Sequence, residues 1–381
     1  MKARVRWIGL TVVLGTLAGT IPVIAGQAAR IPPQPKPIKT TPPKEFVDEA
    51  TAAKQKKDAD NLRLFRSAEP IAFTLTGDFK TIQNDRSMTS TKMYPATLEI
   101  AGPNGAPQQV ELQVRTRGMV RRSYDVCGFA PLRLEFPKDQ VKGTVFDDQH
   151  VLKLGVHCRD VKDFDQYVLR EYAAYKIFNL ISPDSFRARL GKATYVDRVT
   201  KKIVGPKNAL FIENDDDLAR RMNGRVVTDR AALSWLDRDY FTLMALFEFM
   251  IGNLDVSIIT QHNVKLIQQR DRTLFSVPYD FDYSGMVDAA YALPPPGLKI
   301  TTVRDRLYRG PCRTPAELEG FFARFHAIKP SLPQVFADIP DMDANARKRA
   351  LAYLEQFYRV LARPADIKTA FLDNCLKKGL M

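Results

Sequence analysis

The hydrophobic pattern divides the chain into a β-rich first half and a helical second half. Between residues 70 and 157, apolar and polar residues alternate in short runs such as IAFTLTG, VELQVRT and PLRLEF. This period of two is typical of half-buried strands. Helical spacing appears in 229–251 and again in 314–375. The pattern predicts an α+β fold, with a β-rich region over 68–213 and a helical region over 214–381.

The N-terminus has the order of a secretory signal peptide. Three basic residues precede an apolar run that ends near Ala25, and small residues follow it. The run is close to the roughly 20 residues that cross a bilayer, so an uncleaved single-span anchor is the alternative. Pro22 and the interspersed Gly and Thr residues favour cleavage. We therefore predict a signal peptide over 1–28, an exported protein, and no stable membrane span after cleavage.

A spacer follows the predicted cleavage site. Residues 29–44 contain six Pro and no acidic residue, a composition typical of a stiff, extended polyproline segment. Residues 45–66 are highly charged and weakly helical in pattern. We therefore predict that 29–67 forms a Pro-rich linker and a charged helix that precede the folded body.

The four Cys residues fit an exported protein. They are even in number and widely spaced, and no CxxC pair occurs, so a structural zinc site has little support. Two disulfides are the usual outcome in an oxidising compartment, with three possible connectivities. We favour Cys127–Cys158 and Cys312–Cys375, one in each half of the chain, with buried free thiols as the alternative.

The net charge is positive, since 57 Lys and Arg face 43 Asp and Glu, which gives +14. The sequence has no nucleic-acid-binding motif, so we predict no nucleic-acid partner. Attraction to an anionic polymer of the cell envelope accounts for the charge more economically. The segment 304–313 holds four Arg residues. It is either a clamp for an acidic acceptor or a basic loop pinned by Cys312.

The most informative segment is 253–284. Asp255 follows the apolar helix directly, Asn263 lies at the start of a predicted strand over 262–267, and Asp280 closes the next strand, 274–280. A hairpin brings the start of its first strand beside the end of its second. We therefore expect Asn263 and Asp280 to lie close together, with Asp255 in a loop at the same end.

This set of side chains has the chemistry that phosphoryl transfer requires. One acid is available to orient a hydroxyl, while an Asn and an Asp can share a divalent cation. Hard oxygen ligands suit Mg²⁺ or Mn²⁺. The alternative is that Asp255 caps a turn and that Asp280 and Asp282 are solvated loop residues, because Asp is common at turns. The order helix, Asp, Asn-strand, strand, Asp favours the kinase-like interpretation.

In these motifs the chain resembles the CotH (spore coat protein H) kinase family of atypical secreted kinases. The similarity covers roughly residues 95–290 and includes VRTRGMVRR, PLRLEF, HVLKLGV, VLREYAAYKIF and KNALFIEN in order. Its most specific block is GNLD, HNVKLI and VPYDFDYS. The chain lacks an HRD tripeptide and a GxGxxG loop, and its Asp255-to-Asn263 spacing of eight exceeds the five of ordinary kinases. The resemblance implies a bilobal protein-kinase-like fold with a β-rich N-lobe and a helical C-lobe.

The resemblance also implies roles for individual residues. Asp255 would be the catalytic residue that orients the acceptor hydroxyl, and the metal would be held by Asn263 and Asp280, with Asp282 nearby. The candidates for the nucleotide side are Arg115 and Arg117, Lys153 as the phosphate-contacting lysine, and Glu213 as an acidic partner.

The function that follows is Mg²⁺- or Mn²⁺-dependent transfer of a phosphoryl group from a nucleotide, ATP, to a hydroxyl of a protein acceptor. The main alternative is a catalytically inactive envelope or surface interaction protein on the same fold. Transfer of a nucleotidyl group instead of a phosphoryl group is a further option. Metal-dependent nucleotide binding distinguishes the enzyme from the interaction protein.

Overall fold

A computed structural model describes residues 45–102 and 105–377. The predicted signal peptide and the Pro-rich stretch up to residue 44 lie outside the described residues. The described part begins with helix α1, Glu49–Asp60, which coincides with the charged segment. None of the helices in the described residues is long and apolar enough to cross a membrane.

Seven strands close into a β-barrel. The strands are β1 (Ile71–Gly77), β2 (Tyr94–Ala101), β3 (Pro107–Thr116), β4 (Leu132–Glu135), β5 (Val151–Gly155), β6 (Ala188–Asp197) and β7 (Ile203–Ile212). Their order around the barrel is β1, β2, β3, β4, β5, β7, β6. Strand β6 pairs with β1 in parallel and closes the barrel, whereas all the other neighbours are antiparallel. The alternate residues of each strand, such as Leu75, Leu98 and Leu134, fill its interior.

Short helices connect the barrel strands, and a long helix packs on the outside of the barrel. The connecting helices are α2 (Phe79–Asn84) and α3 (Lys138–Val141), and the long helix is α4 (Lys162–Ile181). Helix α4 contains the run VLREYAAYKIF. It is buried along most of its length and contacts both β6 and β7.

The rest of the chain combines helices with a three-stranded sheet. It contains α5 (Asp215–Arg221), β8 (Gly224–Val227), α6 (Arg238–Ile251), β9 (Val264–Gln269), β10 (Leu274–Pro278), α7 (Pro315–Ile328), α8 (Leu332–Ala337), α9 (Ala344–Leu361) and α10 (Pro364–Ile367). The sheet order is β10, β9, β8. One hydrophobic core joins these elements to α4 and to residues of β6 and β7 such as Leu190 and Leu210.

The predicted kinase-like bilobal fold is therefore wrong. The β-rich region is a closed seven-stranded barrel and not the open sheet of a kinase N-lobe. The largest core also runs from the barrel strands into the helices without a break, so the two halves are not separate lobes. Hydrophobic alternation identifies strands and their buried faces, but it carries no information on which distant strands pair. The parallel pairing of β1 with β6, which closes the barrel, was therefore invisible in the pattern.

Both favoured disulfides are confirmed. Cys127 bonds to Cys158 and Cys312 bonds to Cys375, and all four cysteines of the chain are paired. The first bridge ties the loop after β3 to the segment after β5, and the second ties the segment before α7 to the C-terminal segment. Two disulfides are compatible with a secreted protein.

Candidate functional site

A cavity of about 170 Å³ collects most of the predicted site residues. Its walls come from the loop after β3, the loop after α6, the start of β9 and the end of β10. The side chains used below are Arg117, Arg121, Asp255, Asn263, Asp280 and Asp282. The catalytic and metal-binding candidates therefore share one cavity, together with one of the two arginine candidates, Arg117.

The β9–β10 hairpin brings Asn263 and Asp280 together, as its predicted geometry requires. Val264 pairs with Pro278, and the Tyr279 N–H donates to the Asn263 carbonyl oxygen at 3.0 Å. Both Asn263 and Asp280 have left-handed backbones, with φ of 53° and 64°. Non-glycine residues held in this region tend to cluster at functional sites, and Asn and Asp tolerate it best.

The helix α6 ends so that Asp255 reaches the cavity. Gly252 adopts a left-handed backbone with φ of 66° and ends the helix. A side chain at this position is excluded, because its Cβ would lie 1.9 Å from the Tyr353 hydroxyl. The chain then turns, and the Asn253 side chain accepts a hydrogen bond from the Asp255 N–H at 3.2 Å.

The Asp255 carboxylate is held by two residues that immediately precede β9. Its Oδ1 lies 3.0 Å from His262 Nε2, and its Oδ2 accepts from the Asn263 amide at 3.0 Å. The hydrogen bond to Asp255 raises the pKa of His262, although burial opposes the shift. A quarter of the Asp255 side chain remains exposed. Asp255 is thus oriented but accessible, as a residue that positions a substrate hydroxyl has to be.

Arg121 lies between the two acids at the end of β10. Its Nη2 donates to Asp280 Oδ1 at 2.6 Å, and its Nε is 3.2 Å from Asp282 Oδ2. Arg117 is more distant, with 3.9 Å between its Nη2 and Asp280 Oδ2. The Tyr291 hydroxyl donates to the same oxygen, Asp282 Oδ2, at 2.9 Å. The two carboxylates are therefore already partly neutralised by protein cations.

The two carboxylates have different proton affinities. Burial acts to raise the pKa of Asp280, but Arg121 and Arg117 outweigh it and hold the pKa below its ordinary value. Burial raises the pKa of Asp282 to about 7, against the attraction of Arg121. Adjacent acids with separated pKa values are typical of sites that bind cations or transfer protons.

The loop that carries Arg121 is anchored at several points. Arg122 donates to the Thr116 carbonyl at 2.7 Å, and Arg86 donates to the Cys127 carbonyl at 3.1 Å. The disulfide between Cys127 and Cys158 fixes the end of the loop. These contacts hold the arginine side chain over the cavity.

Glu171 is a residue that sequence reasoning missed. It lies on α4, is 2% exposed, and its Oε1 has no hydrogen-bond partner among the described residues. Burial raises its pKa well above the ordinary value, while Arg121 acts in the opposite direction. The sequence did contain an indication of this burial, because Glu171 lies in the mostly apolar run VLREYAAYKIF. An acidic residue within such a run is expected to be buried together with its neighbours.

A basic surface adjoins the cavity. Arg115, Arg133 and Lys153 lie in register across β3, β4 and β5. Lys153 pairs with Asp215, lies 4.7 Å from the centre of the Tyr279 ring, and has its pKa lowered by burial to about 8. Tyr279 lines the cavity itself. Arg115 and Lys153 are therefore on the outer face of the barrel beside the cavity and not inside it.

The acidic partner of Lys153 is Asp215 and not Glu213. Asp215 Oδ2 also lies 3.2 Å from Lys265 Nζ. Glu213 is completely buried, with its Oε1 2.7 Å from Arg187 Nη2 and 2.8 Å from Arg221 Nε. Glu213 therefore belongs to a structural ion-pair cluster. Both acids lie in the run ENDDD, residues 213–217, which directly follows the end of β7 at Ile212. Of the two, Asp215 is the one that pairs with Lys153.

The oxygen donors of Asn263, Asp280 and Asp282 fit a hard divalent cation. Within residues 45–102 and 105–377 there is no group of three or more His, Cys, Asp or Glu side chains arranged to hold a metal ion, so these side chains alone do not form a complete set of metal ligands. Mg²⁺ is commonly held by one or two carboxylates together with substrate phosphates. Two carboxylates and an amide oxygen meet that requirement. A bound Mg²⁺ or Mn²⁺ would neutralise phosphate charge.

The arginine-rich segment 304–313 has internal partners. Its contacts are Arg304 with Asp288 at 2.9 Å, Arg306 with the Tyr353 carbonyl at 2.7 Å, Arg309 with the Val256 carbonyl at 3.3 Å, and Arg313 with Asp239 at 2.6 Å. These four side chains hold the segment on the helical part of the molecule. This geometry favours the pinned basic loop over the clamp.

Comparison with family models and with curated proteins adds nothing to the motif resemblance. No family model matches the chain, and no curated protein matches it. The resemblance to the CotH family therefore rests on the quoted motifs, and the site must be judged on its own geometry.

Proposed function

We propose that the chain is a CotH-like phosphotransferase that transfers a phosphoryl group from ATP to a protein hydroxyl in the presence of Mg²⁺ or Mn²⁺. The proposal concerns the chemistry of the cavity and not a kinase-like arrangement of lobes, which the closed barrel excludes. The observation that carries it is the convergence of Asp255, Asn263, Asp280 and Asp282 on one cavity. Phosphoryl transfer depends mainly on such positioning and on charge neutralisation.

The contacts support a division of roles among these residues. Asp255, held by His262 and Asn263, would orient the acceptor hydroxyl. Asn263, Asp280 and Asp282 would hold the cation. Arg117 at the cavity and Lys153 beside it would contact the phosphates, since Arg117 is a cation next to Asp280 and Lys153 is a cation against Tyr279 of the cavity wall.

The test is transfer of labelled γ-phosphate from ATP to a generic protein acceptor such as casein, and to the chain itself, with Mg²⁺ or Mn²⁺. We expect labelling by the wild type and its loss in Asp255→Asn, with unchanged folding by circular dichroism. Mass spectrometry of the product separates an added phosphate from an added nucleotidyl group. Equal labelling by wild type and Asp255→Asn would contradict the proposed role of Asp255.

A non-catalytic envelope or surface interaction protein is the second candidate. The Arg121 contacts favour it, because a protein cation already occupies the carboxylates that a metal needs. Such a protein would bind its partner without nucleotide. Absence of metal-dependent nucleotide binding in the folded, disulfide-bonded chain would favour this function over transfer.

We also propose that the protein is exported and acts in the cell envelope or outside the cell. The predicted signal peptide and the two disulfides support export. The acceptor would then be a protein of the same compartment, and the positive net charge would favour contact with anionic envelope polymers. We propose no nucleic-acid partner. Cell fractionation with an antibody against the folded domain tests the location.

A further inference from the structure

The site contains more buried acids than buried cations. Glu171, Asp280 and Asp282 interact electrostatically with one another and with the buried guanidinium of Arg121. Arg117 adds a second guanidinium, 3.9 Å from Asp280, so three carboxylates against two guanidinium groups leave one negative charge when all are ionised. Uncompensated charge in a protein interior is costly, so the remaining charge is removed either by a proton or by a further cation.

Arg121 and a divalent cation would compete for the same oxygens. The guanidinium is bonded to Asp280 and close to Asp282, with 2.6 Å and 3.2 Å between the paired atoms. Asp282 is only 3% exposed, so there is little room for both cations on its inner side. A cation that binds both acids must therefore displace the guanidinium from at least one of them.

Glu171 provides a second position for the displaced guanidinium. It lies on α4 one helical turn before Tyr175, whose hydroxyl accepts from the Asp280 N–H at 2.9 Å, and its Oε1 has no hydrogen-bond partner in the part of the chain that the structure describes. A buried carboxyl oxygen without a donor is destabilising and uncommon in native proteins, and a second state of the molecule in which it accepts a hydrogen bond accounts for it. A guanidinium can bond two acids in different directions because its donors form a planar fork.

We propose that Glu171 is a positioning residue of the cation site and receives the Arg121 guanidinium when a divalent cation binds Asp280 and Asp282. This inference rests on the proposed function, because it assumes that the cavity binds Mg²⁺ or Mn²⁺. It adds an exchange of partners: the same guanidinium neutralises the acids without metal and pairs with Glu171 when metal is present. Glu171 then sets the affinity for the cation without contacting it.

The first test is Mn²⁺ binding, measured by electron paramagnetic resonance on the whole disulfide-bonded chain. We expect Glu171→Gln to weaken Mn²⁺ binding tenfold or more, because the displaced guanidinium loses its second acceptor. Glu248→Gln is the matched control, since Glu248 is also a buried helical glutamate without partners for its carboxylate oxygens. It lies outside the cavity lining, and we expect its Mn²⁺ affinity to equal that of the wild type.

A double-mutant cycle separates the exchange from a direct effect of charge. If Glu171 acts through Arg121, Glu171→Gln has no further effect in an Arg121→Gln background. An equal loss in both backgrounds would overturn the exchange, and equal affinity of wild type and Glu171→Gln would overturn any role of Glu171. No Mn²⁺ binding by the wild type would instead overturn the proposed metal-dependent function, on which the exchange depends.

A crystal structure with Mn²⁺ keeps the test decisive if Arg121→Gln fails to fold. The exchange predicts that the Arg121 guanidinium lies within hydrogen-bond distance of Glu171 Oε1 and has left at least one of the two aspartates. Arg121 on both aspartates beside bound Mn²⁺ would refute it.

Discussion

The Arg121 guanidinium donates a 2.6 Å hydrogen bond to Asp280 across 159 residues of sequence. This contact joins the loop after β3 to the end of β10, so it couples the barrel to the helical part at the candidate site. Both side chains are largely buried, at 7% and 15% exposure. The pair therefore serves the stability of the fold as well as the electrostatics of the cavity.

Replacement of Arg121 by Met is expected to lower the free energy of unfolding by about 3 to 5 kcal/mol, because Asp280 and Asp282 would lose their buried cation. Urea denaturation at neutral pH measures the change. The matched control is Arg133→Met, which breaks a 2.6 Å pair with Glu135 on the more exposed barrel surface. The free energy of unfolding of that variant should fall by less than about 1 kcal/mol. A similar decrease in both variants would contradict the claim that Arg121 stabilises the fold as a buried cation.

Replacement of Glu213 by Gln is expected to destabilise the fold without changing nucleotide binding. Glu213 is fully buried and neutralises Arg187 and Arg221, so its loss should cost about 3 to 5 kcal/mol. Urea denaturation measures stability, and calorimetric titration with ATP and Mn²⁺ measures affinity below the melting temperature. A weakened affinity with unchanged stability would instead place Glu213 on the nucleotide side.

Acid should destabilise the barrel through His157. Burial lowers the pKa of His157 from 6.5 to about 4, with Lys207 acting in the same direction and Asp160 opposing. The unfolded chain therefore takes up the proton first as the pH falls. The stability of the fold is therefore unaffected by His157 above pH 6.5 and decreases as the pH falls from 6.5 towards 4. Between pH 7 and pH 5 this amounts to about 2 kcal/mol.

The variant His157→Phe tests this pH dependence because it keeps a ring beside Phe129, whose centroid lies 5.2 Å from that of His157. Urea denaturation at the two pH values gives the loss of stability for each protein. We expect a smaller loss in the variant, by about 2 kcal/mol. Equal losses would show that other groups account for the acid sensitivity.

Removal of the disulfide between Cys127 and Cys158 should affect both stability and ligand binding, because this bridge anchors the Arg121 loop. The double Ser variant is expected to lose about 3 to 5 kcal/mol and to bind ATP with Mn²⁺ more weakly. The Cys312 and Cys375 double Ser variant is the control, since that bridge lies outside the loop. It should lose stability and keep its affinity. Equal affinities in both variants would show that the loop does not need its anchor.

The sequence allowed local features to be predicted but not long-range ones. Alternation located the strands, and hairpin geometry correctly placed Asn263 beside Asp280, because both depend on residues close in sequence. The closure of the barrel depends on pairing between β1 and β6, more than a hundred residues apart. The kinase-like fold was inferred from the order of elements and from the motif resemblance, and neither determines how distant strands pair.

The site shows the same limit. Arg121 was visible only as one of several arginines, and its place between Asp280 and Asp282 follows from the fold of the loop. Glu213 was predicted to be the acidic partner on the nucleotide side, whereas Asp215, two residues later, pairs with Lys153. Their roles differ since Glu213 turns into the Arg187 and Arg221 cluster while Asp215 begins α5.

The central claim is that the cavity binds a nucleotide together with a divalent cation. Its most direct test is a thermal-shift titration of the disulfide-bonded chain with ATP and Mg²⁺ or Mn²⁺, beside Asp280→Ala. A ligand that binds only the folded state raises the melting temperature by mass action. The account predicts a rise that requires both ATP and metal and that disappears in folded Asp280→Ala. No rise with either metal, or an equal rise in the variant, would contradict it.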